Sequence, residues 1–281
     1  MRVDIGAGFR LFVDVEGARY VERDGELHEK PTLILLHGGP GYDHTAFKPK
    51  FSALADLCQI VYYDHRGNGR SDYGDKALWN LDQWADDLVA LCDVLGIEKP
   101  IVLGNSFGGM VAMRYLARHP EHPAKVVLSS TAARMDLPAV YAMFNKLGGT
   151  EAEEIAKEFW TSPTLEVMNE YLRICGPLYT QTKGNALGSP VTTRNPEVGA
   201  HFIMGEQKTM NLIPGLEQAQ CPVLLLAGAW DPVCPVSVME EIRAALPQNL
   251  VRWELFEHCG HGVFRDDLEG AMTVLRDFIL A

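Results

Sequence analysis

Short apolar runs alternate with amphipathic stretches along this chain. Phe9 to Val15 alternates apolar and polar positions with a period of two, the pattern of a half-buried strand. Thr32 to Leu36, Ile60 to Tyr63, Ile101 to Leu103, Val126 to Leu128, Val223 to Leu226 and Val251 to Leu255 are short runs rich in Leu and β-branched residues, several bounded by Gly, Pro or Asp. Between such runs lie helical patterns. Trp84, Leu88, Leu91 and Leu95 recur at helical spacing after Asn80, with Gln83 three residues on in a capping-box arrangement and Gly96 as a stop. Near-continuous apolar strands alternating with amphipathic helices predict an α/β fold whose mostly parallel sheet is covered by helices on both faces.

The rhythm breaks after Ser130. Pro138 to Leu147, Glu151 to Trp160, Thr164 to Ile174 and Glu197 to Met210 read as helices, interrupted by a Gly, Thr and Pro-rich loop from Tyr179 to Pro196. Strands resume at Cys221. The economical organisation is one sheet core formed by residues 1–131 and 221–281, with a helical cap of residues 132–220 inserted between two core strands.

Composition narrows the function classes. With 47% hydrophobic residues the chain can bury a sizeable core, and its net charge of −12 repels a phosphate backbone. Nucleic acid and anionic membrane are therefore poor partners, and a small molecule is the expected one. No apolar run is long enough to cross a bilayer and the first residues do not read as a secretory signal, so a cytoplasmic protein is expected. Six dispersed cysteines without a CxxC pair read as buried free thiols. A monomer and a homo-oligomer are both compatible with the sequence.

Gly104-Asn105-Ser106-Phe107-Gly108 matches G-x-S-x-G between an apolar strand and a helical pattern from Phe107 to Arg118, a setting that lifts a serine hydroxyl off a sheet edge. A serine is a weak nucleophile at neutral pH and needs a base, which in turn needs an orienting acid. His258 and His261 are the histidines of the last quarter, both beyond the run Val251 to Leu255; His261, flanked by Gly260 and Gly262, is the expected base and His258 its competitor. Asp231 follows Val223 to Leu226 and is the expected acid, since no carboxylate precedes Asp136 in the segment after Val126 to Leu128. A glycine-rich His37-Gly38-Gly39-Pro40-Gly41 turn could lend an oxyanion donor from Gly39, with Phe107 supplying a second backbone N–H. This turn admits either isomer at Gly39-Pro40. The pair His258 and His261 lacks the companions of a metal site, and the chemistry calls on no cofactor.

Taken together, HGGPG, Asp64-His65-Arg66-Gly67-Asn68-Gly69-Arg70-Ser71, the Ser106 motif, Asp231 and His261 resemble the α/β-hydrolase fold superfamily in order and spacing over essentially the whole chain. The resemblance implies about eight strands, a cap roofing the site, and a structural role for Asp64 and Arg66. Two narrower likenesses differ. HGGPG and DHRGNGRS resemble proline iminopeptidases, where the second motif more often carries Gln at the position of His65 and a glutamate follows the triad aspartate; here Pro232 follows Asp231. GNSFGG resembles the meta-cleavage carbon-carbon bond hydrolases, which typically carry Trp where this chain has Gly262.

The leading expectation is a serine esterase or lactonase acting on a small, moderately apolar substrate, with Tyr141, Phe144, Trp160, Glu206 and Met210 of the cap facing it. An aminopeptidase, a carbon-carbon hydrolase, and a non-catalytic receptor on the same scaffold are the alternatives.

Overall fold

Strand order in the central sheet, β1-β2-β6-β5-β7-β8-β9-β10, places the site before any side chain is considered. The computed structural model describes residues 1–182 and 191–281. Its strands are β1 (Arg2–Asp4), β2 (Arg10–Glu16), β3 (Tyr20–Arg23), β4 (Glu26–Glu29), β5 (Thr32–Leu36), β6 (Gln59–Tyr63), β7 (Ile101–Asn105), β8 (Lys125–Ser129), β9 (Val223–Gly228) and β10 (Val251–Phe256). The β1/β2 and β2/β6 pairs are antiparallel and the other neighbours in this sheet are parallel. From β5 the chain steps to β6 on one side, then crosses back to place β7 on the other. The carboxyl ends of β5 and β7 therefore face a crevice where the winding direction reverses, the usual ligand position in such sheets.

The α-helices among the described residues are α1 (Leu81–Leu95), α2 (Phe107–Arg118), α3 (Leu137–Thr161), α4 (Leu165–Ile174), α5 (Pro196–Met204), α6 (Val236–Ala245), α7 (Val263–Asp266) and α8 (Leu268–Leu280), with short 3-10 turns between elements. Ile34, Leu36, Val102 and Leu225 pack on one side with Trp84 of α1 and Met239 of α6, while Leu33, Leu35, Leu103 and Leu224 pack on the other with Leu275 and Phe278 of α8. Burial on both faces explains why these strands read as continuous apolar runs rather than alternating ones.

Local signals act as expected in α1. The Asn80 side chain accepts from the Gln83 backbone N–H, and Gly96 takes the left-handed conformation at the C-terminus, φ 64° and ψ 39°. The reciprocal half of the capping box does not form, because Gln83 Nε2 donates to Asp87 at 2.8 Å instead.

The helices expected at 138–147 and 151–160 both form within α3, parted by a kink at Gly149, whose φ of 74° and ψ of −168° are not helical. Two expectations change. The helix expected to run to Met210 stops at Met204, because Gly205 leaves helical geometry and the chain continues as a 3-10 turn from Glu206 to Lys208. The β3-β4 hairpin is additional: it is mostly exposed, so it lacks an apolar signature, and it turns on Asp24 and Gly25 with positive φ. Of the loop from Tyr179 to Pro196, residues 183–190 lie outside the described residues. All six cysteines are free and buried, and no described helix is long and apolar enough to cross a membrane.

Candidate active site

Ser106 sits between β7 and α2 with φ 54° and ψ −118°, a conformation that a residue with a Cβ rarely adopts. Its surroundings enforce that turn. The Ser106 N–H donates to Ser129 O at 2.9 Å, and Ser106 O accepts from Gly109 N at 2.9 Å and from Thr131 Oγ1 at 2.7 Å. The neighbouring glycines make room: a Cβ on Gly104 would lie 2.3 Å from Gly108 O, and one on Gly108 would lie 2.0 Å from Leu36 O. Glycine is thus required at both positions by the closeness of α2 to β5 and β7.

His261 reaches this serine from the loop after β10. Its Nε2 lies 2.9 Å from Ser106 Oγ, and its Nδ1 lies 2.8 Å from Asp231 Oδ2 and 2.9 Å from Oδ1. A carboxylate can only accept, so Nδ1 carries the proton and Nε2 is left to accept from the serine hydroxyl. Asp231 is itself held after β9 by the N–H groups of Val233 and Cys234, each 2.8 Å from Oδ1. The structure therefore brings Ser106, His261 and Asp231 into one hydrogen-bonded chain. His258 is exposed. Asp136, the nearest carboxylate after β8, caps α3 by accepting from Ala139 N.

The loop carrying His261 is pinned by residues that no motif marks. His261 N donates to Tyr179 O at 2.8 Å, and the Tyr179 ring stands edge-on to the imidazole with centroids 5.2 Å apart. Asp266, its side chain only 1% exposed, accepts from Gly260 N at 2.7 Å and Gln181 N at 3.0 Å, and from the Thr180 hydroxyl. Burial acts to raise the Asp266 pKa, but these donors and the neighbouring Arg265 hold it below the usual carboxylate value.

The DHRGNGRS segment braces the opposite side. Asp64 accepts from His44 Nδ1 at 2.6 Å, His44 N at 2.9 Å and Arg70 N at 2.8 Å, and Arg66 grips Asp87 through two bonds of 2.6 and 2.7 Å. His65 is fully enclosed by the rings of His37, Tyr63 and Phe107, and neither ring nitrogen has a partner among the described residues. Burial drives its pKa well below the ordinary 6.5, and burial lowers that of His37 as well.

Gly39, Phe107, Ser106 and His261 all line one cavity of about 360 Å³, a size suited to a small molecule. Gly39-Pro40 is cis. Among the described residues, no protein acceptor takes the N–H of Gly39 or Phe107, so both donors are free for a ligand oxygen. The walls are largely apolar, with Met110, Met135, Phe159, Leu165, Met168 and Phe202 prominent.

Of the five cap residues expected at the cavity, Trp160 lines it and four do not. Phe144 is buried against Tyr171 and Tyr179, and Met210 is buried in the main core. Tyr141 lies beneath Lys157, whose ammonium is 5.8 Å from its ring. Glu206 faces α1, accepting from Leu81 N at 2.9 Å with Arg114 4.0 Å away, and burial raises its pKa. Its neighbour Gln207 lines the cavity instead. Nothing in the sequence separates these two adjacent polar residues.

Asp231, Cys234 and His261 present ligand atoms within 4.8 Å of one another, close enough to suggest a divalent cation. The donor set fits a cation poorly. Burial keeps the Cys234 thiol protonated by raising its pKa well above normal, and both Asp231 oxygens already serve His261 or backbone N–H groups.

Comparison with known proteins gives the same scaffold. The sequence profile of the alpha/beta hydrolase fold matches residues 31–268. A proline iminopeptidase of Levilactobacillus brevis is 31% identical over 276 residues, which span 92% of this chain and 91% of the relative. Among solved structures, VinJ aligns with a TM-score of 0.81 at 22% identity, covering 99% of this chain and 97% of VinJ. A thermophilic esterase from Thermogutta terrifontis aligns with a TM-score of 0.68 at 25% identity, covering 99% of this chain and 98% of the esterase.

Proposed function

This chain belongs to the alpha/beta hydrolase fold family and is a hydrolase similar to proline iminopeptidases, and from that premise we propose that it is a serine esterase or lactonase acting through an acyl-enzyme. Ser106 is the nucleophile, His261 the base and Asp231 the group that orients and stabilises the imidazolium. The helices α3 to α5 form a cap over the cavity.

The proposed reaction runs in two halves. Ser106 Oγ attacks the substrate carbonyl carbon as its proton passes to His261 Nε2 across the 2.9 Å contact. Negative charge gathers on the carbonyl oxygen, where the Gly39 and Phe107 N–H groups stabilise it. The imidazolium then protonates the leaving oxygen as the carbon–oxygen bond breaks. Water, deprotonated by the same nitrogen, attacks the acyl-enzyme, and Ser106 regains its proton on release of the acid.

The observation that favours an ester or lactone over an N-terminal peptide is the fate of the cavity's carboxylates. An aminopeptidase must hold a substrate ammonium ion, which is costly to bury unpaired. Asp43 is the only carboxylate among the described lining residues, and it is already committed. Its Oδ1 accepts from Thr45 N and Oγ1, and its Oδ2 accepts from Arg70 Nη1 at 2.8 Å and Thr193 N at 2.7 Å. Residues 183–190 contain no acidic residue.

A proline iminopeptidase is the second reading, favoured by the named activity of the Levilactobacillus brevis relative. A panel of nitrophenyl esters, small lactones and proline β-naphthylamide separates the two. Turnover of esters or lactones with the prolyl amide untouched is expected; a preference for the prolyl amide contradicts the first reading and supports the second.

A further inference from the structure

Among the described residues, the titratable carboxylate, imidazole and guanidinium groups that line the cavity are those of Asp43, Arg194, His261 and Arg265. Three of the four already face an opposite partner. Asp43 holds Arg70 at 2.8 Å, His261 is 2.8 Å from Asp231, and Arg265 lies 3.6 Å from Asp266 while donating to Tyr179 O. Arg194 is the exception: no carboxylate pairs with it among the described residues, and residues 183–190 contain no acidic residue that could supply one. Its place is fixed relative to the reacting centre. The Arg194 guanidinium carbon stands 4.8 Å from the centroid of the Tyr42 ring, and that ring adjoins the oxyanion turn, since a Cβ on Gly39 would lie 3.2 Å from Tyr42 Cδ2. The following residue ties the backbone to the same turn, Asn195 N donating to Gly41 O and Asn195 Nδ2 to Gly67 O, each at 2.8 Å.

We propose that the substrate is an ester or lactone that carries a free carboxylate, which Arg194 binds while the reacting carbonyl faces Ser106. This rests on the serine-hydrolase reading and adds Arg194 as a specificity residue. The Tyr42 ring attracts the cation without using its N–H donors, which stay available for the two oxygens of a carboxylate. A substrate ammonium ion would meet this guanidinium as a like charge. With a net charge of −12 the protein as a whole repels an anion, so the attraction that admits one must come from a cation at the cavity itself. Arg194 is exposed, so the carboxylate keeps part of its hydration, and the selection it gives is moderate and weakened by salt.

The test uses two pairs of esters, each an acid and the counterpart in which a carboxamide of the same shape replaces the carboxylate. The mononitrophenyl ester of hexanedioic acid carries the charge on the acyl side, and acetoxyphenylacetic acid carries it on the alcohol side. Each kcat/KM is divided by the ester's hydroxide-catalysed hydrolysis rate to remove intrinsic reactivity. In at least one pair the wild-type protein is expected to prefer the acid by about five-fold or more at low ionic strength, and the preference is expected to shrink towards one in about 1 M salt. Arg194→Gln is expected to bring that ratio close to one, and Arg194→Glu to push it below one. Reading a ratio within each variant cancels changes in packing and in active fraction that both esters feel, and the reversal by glutamate is an effect of charge that lost packing does not produce. Turnover in both pairs with wild-type ratios at or below one overturns this proposal and leaves the serine-hydrolase reading standing. A preference for the acid that neither substitution lowers overturns the assignment to Arg194. No turnover of any of these esters overturns the underlying reading, and this proposal with it.

Discussion

The surroundings of individual side chains separate the residues proposed to do chemistry from those that hold the site. Motif order marks Ser106, Asp231 and His261, and they meet in space because each follows the carboxyl end of a parallel strand. Chemistry of this kind is legible because it demands fixed residue types at fixed points of the sheet. Cavity walls are not, since an aromatic residue on an amphipathic helix has the same sequence signature whether it packs inward, as Phe144 does, or lines the cavity, as Trp160 does. His65 shows a further residue-scale effect. Its folded pKa is depressed by burial, so below about pH 6.5 the unfolded chain binds a proton that the native state refuses, and stability present above that pH is lost as the pH falls. Below pH 6.5 wild type is expected to lose up to about 1.4 kcal/mol more per pH unit than His65→Gln. Urea midpoints at about pH 7.5 and 5.5 measure this; equal losses in the two proteins would refute it.

At the scale of elements, apolar runs reveal β5 to β9 because both faces of the sheet are buried there, while the half-buried edge strand β10 carries a weaker run and the exposed β3-β4 hairpin has only its Asp24-Gly25 turn to announce it. The ties between elements are equally silent in the sequence. Asp266 belongs to the short α7 yet gathers Gly260 and Gln181, so it fastens the His261 loop to the segment that follows Tyr179. Replacing Asp266 with Ala removes a buried acceptor from two backbone donors and a hydroxyl, at a cost of about 2 kcal/mol or more. The expected result is a lower melting temperature together with a fall in kcat larger than any change in KM, because the loop positions the base rather than the substrate. Unchanged kcat in a protein with lowered stability would show that the loop keeps its geometry without Asp266.

Across the whole molecule, three distant parts of the chain are joined at one crevice. The turn after β5 brings Gly39, the turn after β7 brings Ser106, and the two loops after β9 and β10 bring Asp231 and His261, which follow the helical segment from Leu137 to Met204 in the chain. The strand order that reverses at β5 and β7 opens the crevice, and the intervening helices supply its apolar walls. Overall architecture was therefore readable from periodicity and motif order, whereas substrate selection depends on side-chain directions in the inserted helices that no periodicity encodes. The claim on which the account turns is that this assembly makes Ser106 a nucleophile. Its most direct measurement is covalent labelling with a fluorophosphonate, followed by intact-mass and peptide analysis of wild type, Ser106→Ala and His261→Ala. One adduct per chain on Ser106, absent from Ser106→Ala and much slower to form in His261→Ala, is expected; an adduct on another residue, or equal labelling of Ser106→Ala, contradicts the account.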